Sequence, residues 1–113
     1  MTTGTSALLV LTTCASAEEA DTLAAALVEA RLAACVSAVP RVVSTYRWQG
    51  KVTRDEESLL LIKTTTSRFA ELEQAIRERS SYEVPEVLAL PVTSGSAPYL
   101  GWLAASVAAG AAK

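Results

Sequence analysis

The sequence predicts an α+β fold: one four-stranded antiparallel sheet with helices in the order β-α-β-β-α-β, and an extra C-terminal helix. Three observations predict it. Short apolar or β-branched runs alternate with stretches of helical period. Two of those runs, 35–48 and 51–64, are separated only by Gln49-Gly50 and so make one long β2–β3 hairpin. Finally, Pro40 and Pro91 interrupt the second and fourth runs, which this order places at the sheet edges, where a missing N–H is tolerated.

Each element has a local reason. Ala7-Leu8-Leu9-Val10-Leu11 is a continuous apolar run and reads as a strand buried on both faces. Ser16 with Glu19 three residues on makes a capping box, and Glu18 and Asp21 add negative charge to the first turns. Ala20, Leu23, Ala24, Leu27, Ala30, Arg31 and Ala34 follow at helical spacing, which predicts a helix over about 17–34. The hairpin arms come next, each longer than the ordinary strand of ~5–6 residues, so their tip overhangs a small core and needs a cover. Thr66 or Ser67 is placed to cap a second helix, with Phe69, Leu72 and Ile76 as its apolar stripe and Glu73 and Arg77 paired on the wet side. A fourth strand is expected over 86–92. Ser96 then caps a third helix, with Pro98 in its first turn and Tyr99, Leu100, Leu103 and Val107 on its buried side.

This order is the ferredoxin-like split βαβ arrangement. Right-handed crossovers place the fourth strand beside the first, the third on the other side of the first, and the second at the far edge. That topology gathers chemistry at one end of the sheet. Cys14 at the end of the first strand, Ser80 to Tyr82 after the second helix, Glu86 at the start of the fourth strand and the hairpin tip all belong there. Cys35 starts the second strand at the opposite end, so no disulfide joins it to Cys14 within a subunit.

The composition narrows the function. With 113 residues, half of them hydrophobic, the chain fits one domain; about 1–5 and 109–113 are expected to fray. Ten basic and twelve acidic residues give a net charge of -2 with no block of one sign, which points away from nucleic acid and from anionic membranes. No signal peptide or membrane span is read, and the expected compartment is the cytoplasm. Histidine is absent, which removes the commonest metal ligand and the commonest general base near neutral pH. No nucleophile and base accompany the carboxylates, so no enzyme activity is expected.

Five motifs carry a resemblance. They are Ala30-Arg31-Leu32-Ala33-Ala34-Cys35, Tyr46-Arg47-Trp48-Gln49-Gly50-Lys51, Lys63-Thr64, Tyr82-Glu83-Val84-Pro85-Glu86 with Leu90-Pro91-Val92, and Tyr99-Leu100-Gly101-Trp102-Leu103. In this order and spacing they make the sequence similar to the CutA divalent-cation-tolerance proteins over nearly its whole length. The resemblance implies a ferredoxin-like subunit in a homotrimer, with the long hairpins building sheet between subunits. It also implies a role in tolerance of copper and other divalent metals, without a catalytic activity or a required cofactor. Metal-binding relatives use a cysteine after the first strand, a histidine before the Tyr-Glu motif and a glutamate after it. Cys14 and Glu86 match; the histidine position reads Ser80 and the following proline position reads Ser81.

The candidate copper or zinc ligands are therefore Cys14, Glu83 and Glu86, each with a structural alternative. Cys14 serves equally as a small apolar residue at a strand end. Glu83 and Glu86 can instead hold their loop by accepting backbone bonds. Tyr46, Trp48, Tyr82 and Trp102 line either a cleft or a subunit interface, where aromatics are enriched. Lys51 and Lys63 are anion ligands or solvated lysines. The function expected is that of a trimeric protein of divalent-metal homeostasis. The alternatives are a trimeric small-molecule sensor resembling the PII signalling proteins, and a structural trimeric hub without a ligand.

Overall fold

The computed structural model describes residues 5–108. Its elements are β1 (Ala7–Cys14), α1 (Ala17–Glu29), β2 (Cys35–Trp48), β3 (Lys51–Thr65), a 3-10 turn (Thr66–Arg68), α2 (Phe69–Arg79), β4 (Leu88–Pro91) and α3 (Ala97–Val107). The sheet order is β2-β3-β1-β4, every neighbour antiparallel, as the split βαβ reading requires. β2 and β4, the two strands that contain proline, are the edges.

The even-numbered residues of β1 and β3 face the helices. Val10, Leu60 and Ile62 are fully buried there against Leu23 and Leu27 of α1 and Leu72 and Ile76 of α2. At 25 cal/mol per Å², burial of each such side chain favours folding by ~1.5–3 kcal/mol. Thr12 shares this face, and its hydroxyl is buried without a partner among the described residues. The other face of the sheet is also apolar. Leu9 pairs with Leu90, Leu11 with Leu88 and with Leu61, and Leu59 with Val39, so the register sets all seven on one side. α3 covers only the Ala7 end of that side, packing Leu103 and Val107 on Ala7 and Ala34. Further along, Leu88 and Leu90 stay 56% and 45% exposed.

Several expectations shift at the boundaries. α1 stops at Glu29 because Arg31 takes a left-handed φ of 60° and Leu32 N–H turns back to Leu27 C=O. Residues 32–34 keep the apolar pattern because they are buried in the descent to the sheet, where Ala34 N–H already donates to Lys63 C=O. α2 begins at Phe69 without a side-chain cap; Thr66 and Ser67 lie in the preceding 3-10 turn. β4 has four residues, Glu86 and Val87 remaining in the loop. Tyr99 is 43% exposed, stacked at a tilt on Trp102 with centroids 5.5 Å apart, and does not join the buried side of α3. Thr5, expected to fray, is tied to Val92 C=O through its hydroxyl at 2.9 Å; the rest of the tails lies outside the described residues.

The hairpin closes on a two-residue turn in which Gln49 and Gly50 both have positive φ, 50° and 80°, the turn whose twist suits antiparallel strands. Lower down, β2 carries a bulge. Val39 pairs with Leu59 but Val42 pairs with Glu57, so one extra residue is accommodated at Pro40-Arg41, and Arg41 has φ 63°. Above the bulge, Ser44, Tyr46 and Trp48 share a face with Asp55 and Glu57.

Candidate functional site

The capping box at the start of α1 is also a clamp. Ser16 Oγ accepts from Glu19 N–H at 3.1 Å, and Glu19 Oε1 accepts from Ala15 N–H at 3.1 Å. The same carboxylate accepts from Ser81 N–H at 2.8 Å and Ser81 Oγ–H at 3.0 Å. Ser80 Oγ accepts from Tyr82 N–H at 3.0 Å. The loop after α2 is thus fixed to the start of α1. It sends Tyr82 across to β3, where the phenol donates to the Glu57 carboxylate. On the hairpin, Tyr46 donates to Asp55.

Between the hairpin and this loop lies a cleft of about 630 Å³. Tyr46, Trp48, Tyr82, Glu57, Glu83 and Glu86 line it, with Ser44, Thr45, Thr13, Ser81 and Val84 between them. Among the described residues, no lysine or arginine is on the lining. Burial and the bond to Glu57 push the Tyr82 phenol upward, and the bond to Asp55 does the same for Tyr46. Both phenols therefore keep their protons and spend them on carboxylates. What these side chains offer a ligand is oxygen lone pairs and aromatic faces.

Of the residues singled out in the sequence, the structure brings Tyr46, Trp48, Tyr82, Glu83 and Glu86 onto one cleft. It does not bring Cys14 there. That side chain is 2% exposed, facing the helices with Leu8 and Val10. Burial, then the charges of Glu19 and Glu57, push its thiol up to about 11, so it is not a thiolate at neutral pH. Lys51 pairs with Trp48 beside the turn, outside the cleft lining. Trp102 is on α3, at the opposite end of the sheet. Lys63 donates to Ser37 Oγ at 2.8 Å. Both cysteines are free. Glu57 and Asp55 belong to the charged run Asp55-Glu56-Glu57 of β3. Their role depends on which face of β3 they occupy, and the bulge in β2 decides what stands opposite. Glu19 was legible as a cap, but its second partner is 62 residues away and left no local signal.

A metal ion tests this donor set poorly. Among the described residues no three or more Cys, Asp or Glu side chains come together as a ligand group. Two exposed carboxylates and a protonated, buried thiol offer oxygen to a hard cation but no thiolate–imidazole site for a soft one.

Fold and cleft together define a class: a ferredoxin-like α+β protein with an acidic, aromatic cleft beside a long hairpin. The profile of the family described as CutA1 divalent ion tolerance protein matches residues 8–106. The divalent-cation tolerance protein CutA of Thermus thermophilus is 53% identical over 95 residues, covering 84% of this chain and 92% of that one. Protein CutA of Mus musculus is 46% identical over 91 residues, 80% of this chain but 51% of the mouse protein, so the chain spans about half of that relative. The crystal structure of CutA1 from Oryza sativa superposes with a TM-score of 0.90 at 39% identity, covering 96% of this chain and 99% of that one. The chain belongs to the CutA1 divalent ion tolerance family.

Proposed function

We propose that this chain acts in divalent-cation tolerance as a cytoplasmic homotrimer, with weak binding of cations at the cleft rather than tight capture of copper. The observation that carries the reading is the one-sided charge of the cleft: Glu57, Glu83 and Glu86 on its lining and, among the described residues, no basic one. The likeness to the divalent-cation tolerance protein of Thermus thermophilus supports the tolerance role. Two free cysteines suit a reducing compartment. The trimer is supported by the second sheet face, where Leu88 and Leu90 remain about half exposed on an edge strand, a surface that soluble chains cover.

Glu83 and Glu86 are the metal-facing residues of this reading. Cys14 contributes only if the subunit opens, because its thiol is buried and protonated. Isothermal titration with Zn²⁺ and Cu²⁺ tests it. Weak binding that drops in Glu83→Gln and Glu86→Gln, and is unchanged in Cys14→Ala, is expected. Equal binding by all four proteins would place the ion elsewhere. Sedimentation at micromolar concentration tests the assembly, and a stable folded monomer would refute the trimer. For phosphate-bearing ligands, the alternative of a small-molecule sensor resembling the PII proteins is disfavoured by the same charge, since phosphates would meet carboxylates with no cation among the described lining residues.

A further inference from the structure

We propose that the cleft is completed by a second copy of this chain, whose hairpin lays Arg47 and Arg54 against the carboxylates of Glu83 and Glu86. The inference rests on the homotrimer reading for the presence of that copy, and goes beyond it by assigning the contact and its direction.

The hairpin carries opposite chemistry on its two faces. Ser44, Tyr46 and Trp48 of β2 lie with Asp55 and Glu57 of β3 on the cleft side. Lys51 shares that side but stands opposite Trp48 beside the turn, outside the cleft lining. On the reverse side Arg47 stands opposite Val52, Arg54 opposite Thr45, and Glu56 lower down opposite Val43. Both valines and both arginines there are exposed in the subunit. The ion pairs among the described residues, Arg68–Glu71 and Arg77–Glu73, use neither of those guanidinium groups.

Each face lacks what the other offers. In the cleft, Glu83 and Glu86 are exposed, and Glu57 is buried with a neutral phenol as its partner. Carboxylates gathered on a face that an assembly covers need counter-charge, since a charge buried unpaired is costly. A guanidinium supplies it and also stacks on ring faces, which Tyr46 and Trp48 provide. The bare Val43 and Val52 find an apolar counterpart in exposed Val84 on the lining. Arginine with tyrosine and tryptophan is also the composition that interfaces favour. The two faces stand back to back on one two-stranded ribbon, so a single partner cannot meet both. The contact is therefore head-to-tail: each copy gives its reverse face to one neighbour and receives another in its cleft, and the series closes as a ring. An arginine seated on Glu83 and Glu86 competes with a metal ion for the same oxygens, in keeping with weak cation binding there.

Charge reversal on the full chain tests the contact, read by sedimentation at low salt. Arg47→Glu with Arg54→Glu, and separately Glu83→Arg with Glu86→Arg, are each expected to weaken association about tenfold or more. All four positions are exposed in the subunit, so circular dichroism should stay unchanged. The four substitutions in one chain restore opposite charge across the contact and should bring association back to within about threefold of the unmodified protein. Arg77→Glu, on the outer side of α2, is the control and should assemble normally. A four-fold variant no better than either pair would overturn the proposal, as would a loss of the same size in Arg77→Glu. Trimers indifferent to both pairs would overturn it and leave the trimer standing. A stable folded monomer of the unmodified protein would remove both, and a two-fold dimer would overturn the head-to-tail contact.

Discussion

The two faces of the sheet are built from the same kind of residue and meet opposite fates. Leu8, Val10, Leu60 and Ile62 on one face are at most 9% exposed beneath α1 and α2. Leu88 and Leu90 on the other are 56% and 45% exposed, beside half-buried Leu9, Leu11 and Leu61. A strand that is apolar at every position announces burial on both sides. Among the described residues, a full cover is supplied for one side only. The difference separates the face on which the chain's own helices complete a core from the face they leave open.

Substitutions can sharpen that contrast. Leu60→Ala on the covered face should cost about 2–5 kcal/mol, through lost burial and a residual cavity. Urea unfolding would show it as a lower midpoint with an unchanged slope; a cost near zero would mean that this face is not the core. Glu19→Ala should cost about 1–2 kcal/mol, since it removes both a helix cap and the clamp on Ser81. Its distinguishing sign is a changed environment of Tyr82, read by NMR, at a residue that Glu19 does not bond. Thr12→Val on the covered face should be neutral or stabilising by up to ~1 kcal/mol, because it replaces a buried hydroxyl that has no partner among the described residues by a methyl of the same shape. A clear loss of stability would reveal a hidden partner for that hydroxyl.

The smallest effect on the subunit fold is expected on the bare face. Leu88→Lys should leave the circular dichroism unchanged and the subunit's own stability within ~0.5 kcal/mol, while sedimentation reports a lower mass. An unchanged mass would acquit this face of assembly. Alkaline pH probes the covered face differently. The Cys14 thiol is raised in the fold from 9.0 to about 11, by burial first. Its contribution is complete below pH ~9, where the thiol is protonated in both states. It is lost as pH rises towards the folded value, because the unfolded chain releases the proton first. The melting temperature should therefore fall between about pH 9 and 11, less steeply in Cys14→Ala. Identical slopes would show that the thiol is already open to water.

Most of the fold was legible because its signals are local. The apolar run of β1, the capping box at Ser16 and Glu19, the Gln49-Gly50 turn and the edge prolines each act within a few residues. The ends were less legible where apolar periodicity outlasts the element that uses it. At 32–34 the pattern of a helix face continues because the descending loop is itself buried. The site divides in the same way. Tyr46, Trp48, Tyr82, Glu83 and Glu86 belong to recognisable motifs, and topology predicted that they share one end. Cys14 reaches that end too, but strand alternation turns its side chain to the helices, so nearness along the sheet did not make it part of the cleft. Glu57 and Glu19 join through bonds spanning 25 and 62 residues, which no window on the sequence contains.

The single extra residue at Pro40-Arg41 sets the parity of everything beyond it in β2. Because of that step, Tyr46 and Trp48 stand on the same side as Glu57, and Val43 and Arg47 point to the reverse. The same sequence run through without the bulge would pair Arg41 with Glu57 and Val43 with Asp55. It would then present Val43 and Arg47 in place of the two aromatic rings, and put a positive charge where the described lining of the cleft has none. Losing one residue at Pro40-Arg41 would instead leave a regular strand, with Tyr46 and Trp48 still on the side of Glu57. The bulge thus absorbs an extra residue that would otherwise act like several simultaneous point mutations. A local irregularity of the backbone is therefore part of the chemistry of the cleft.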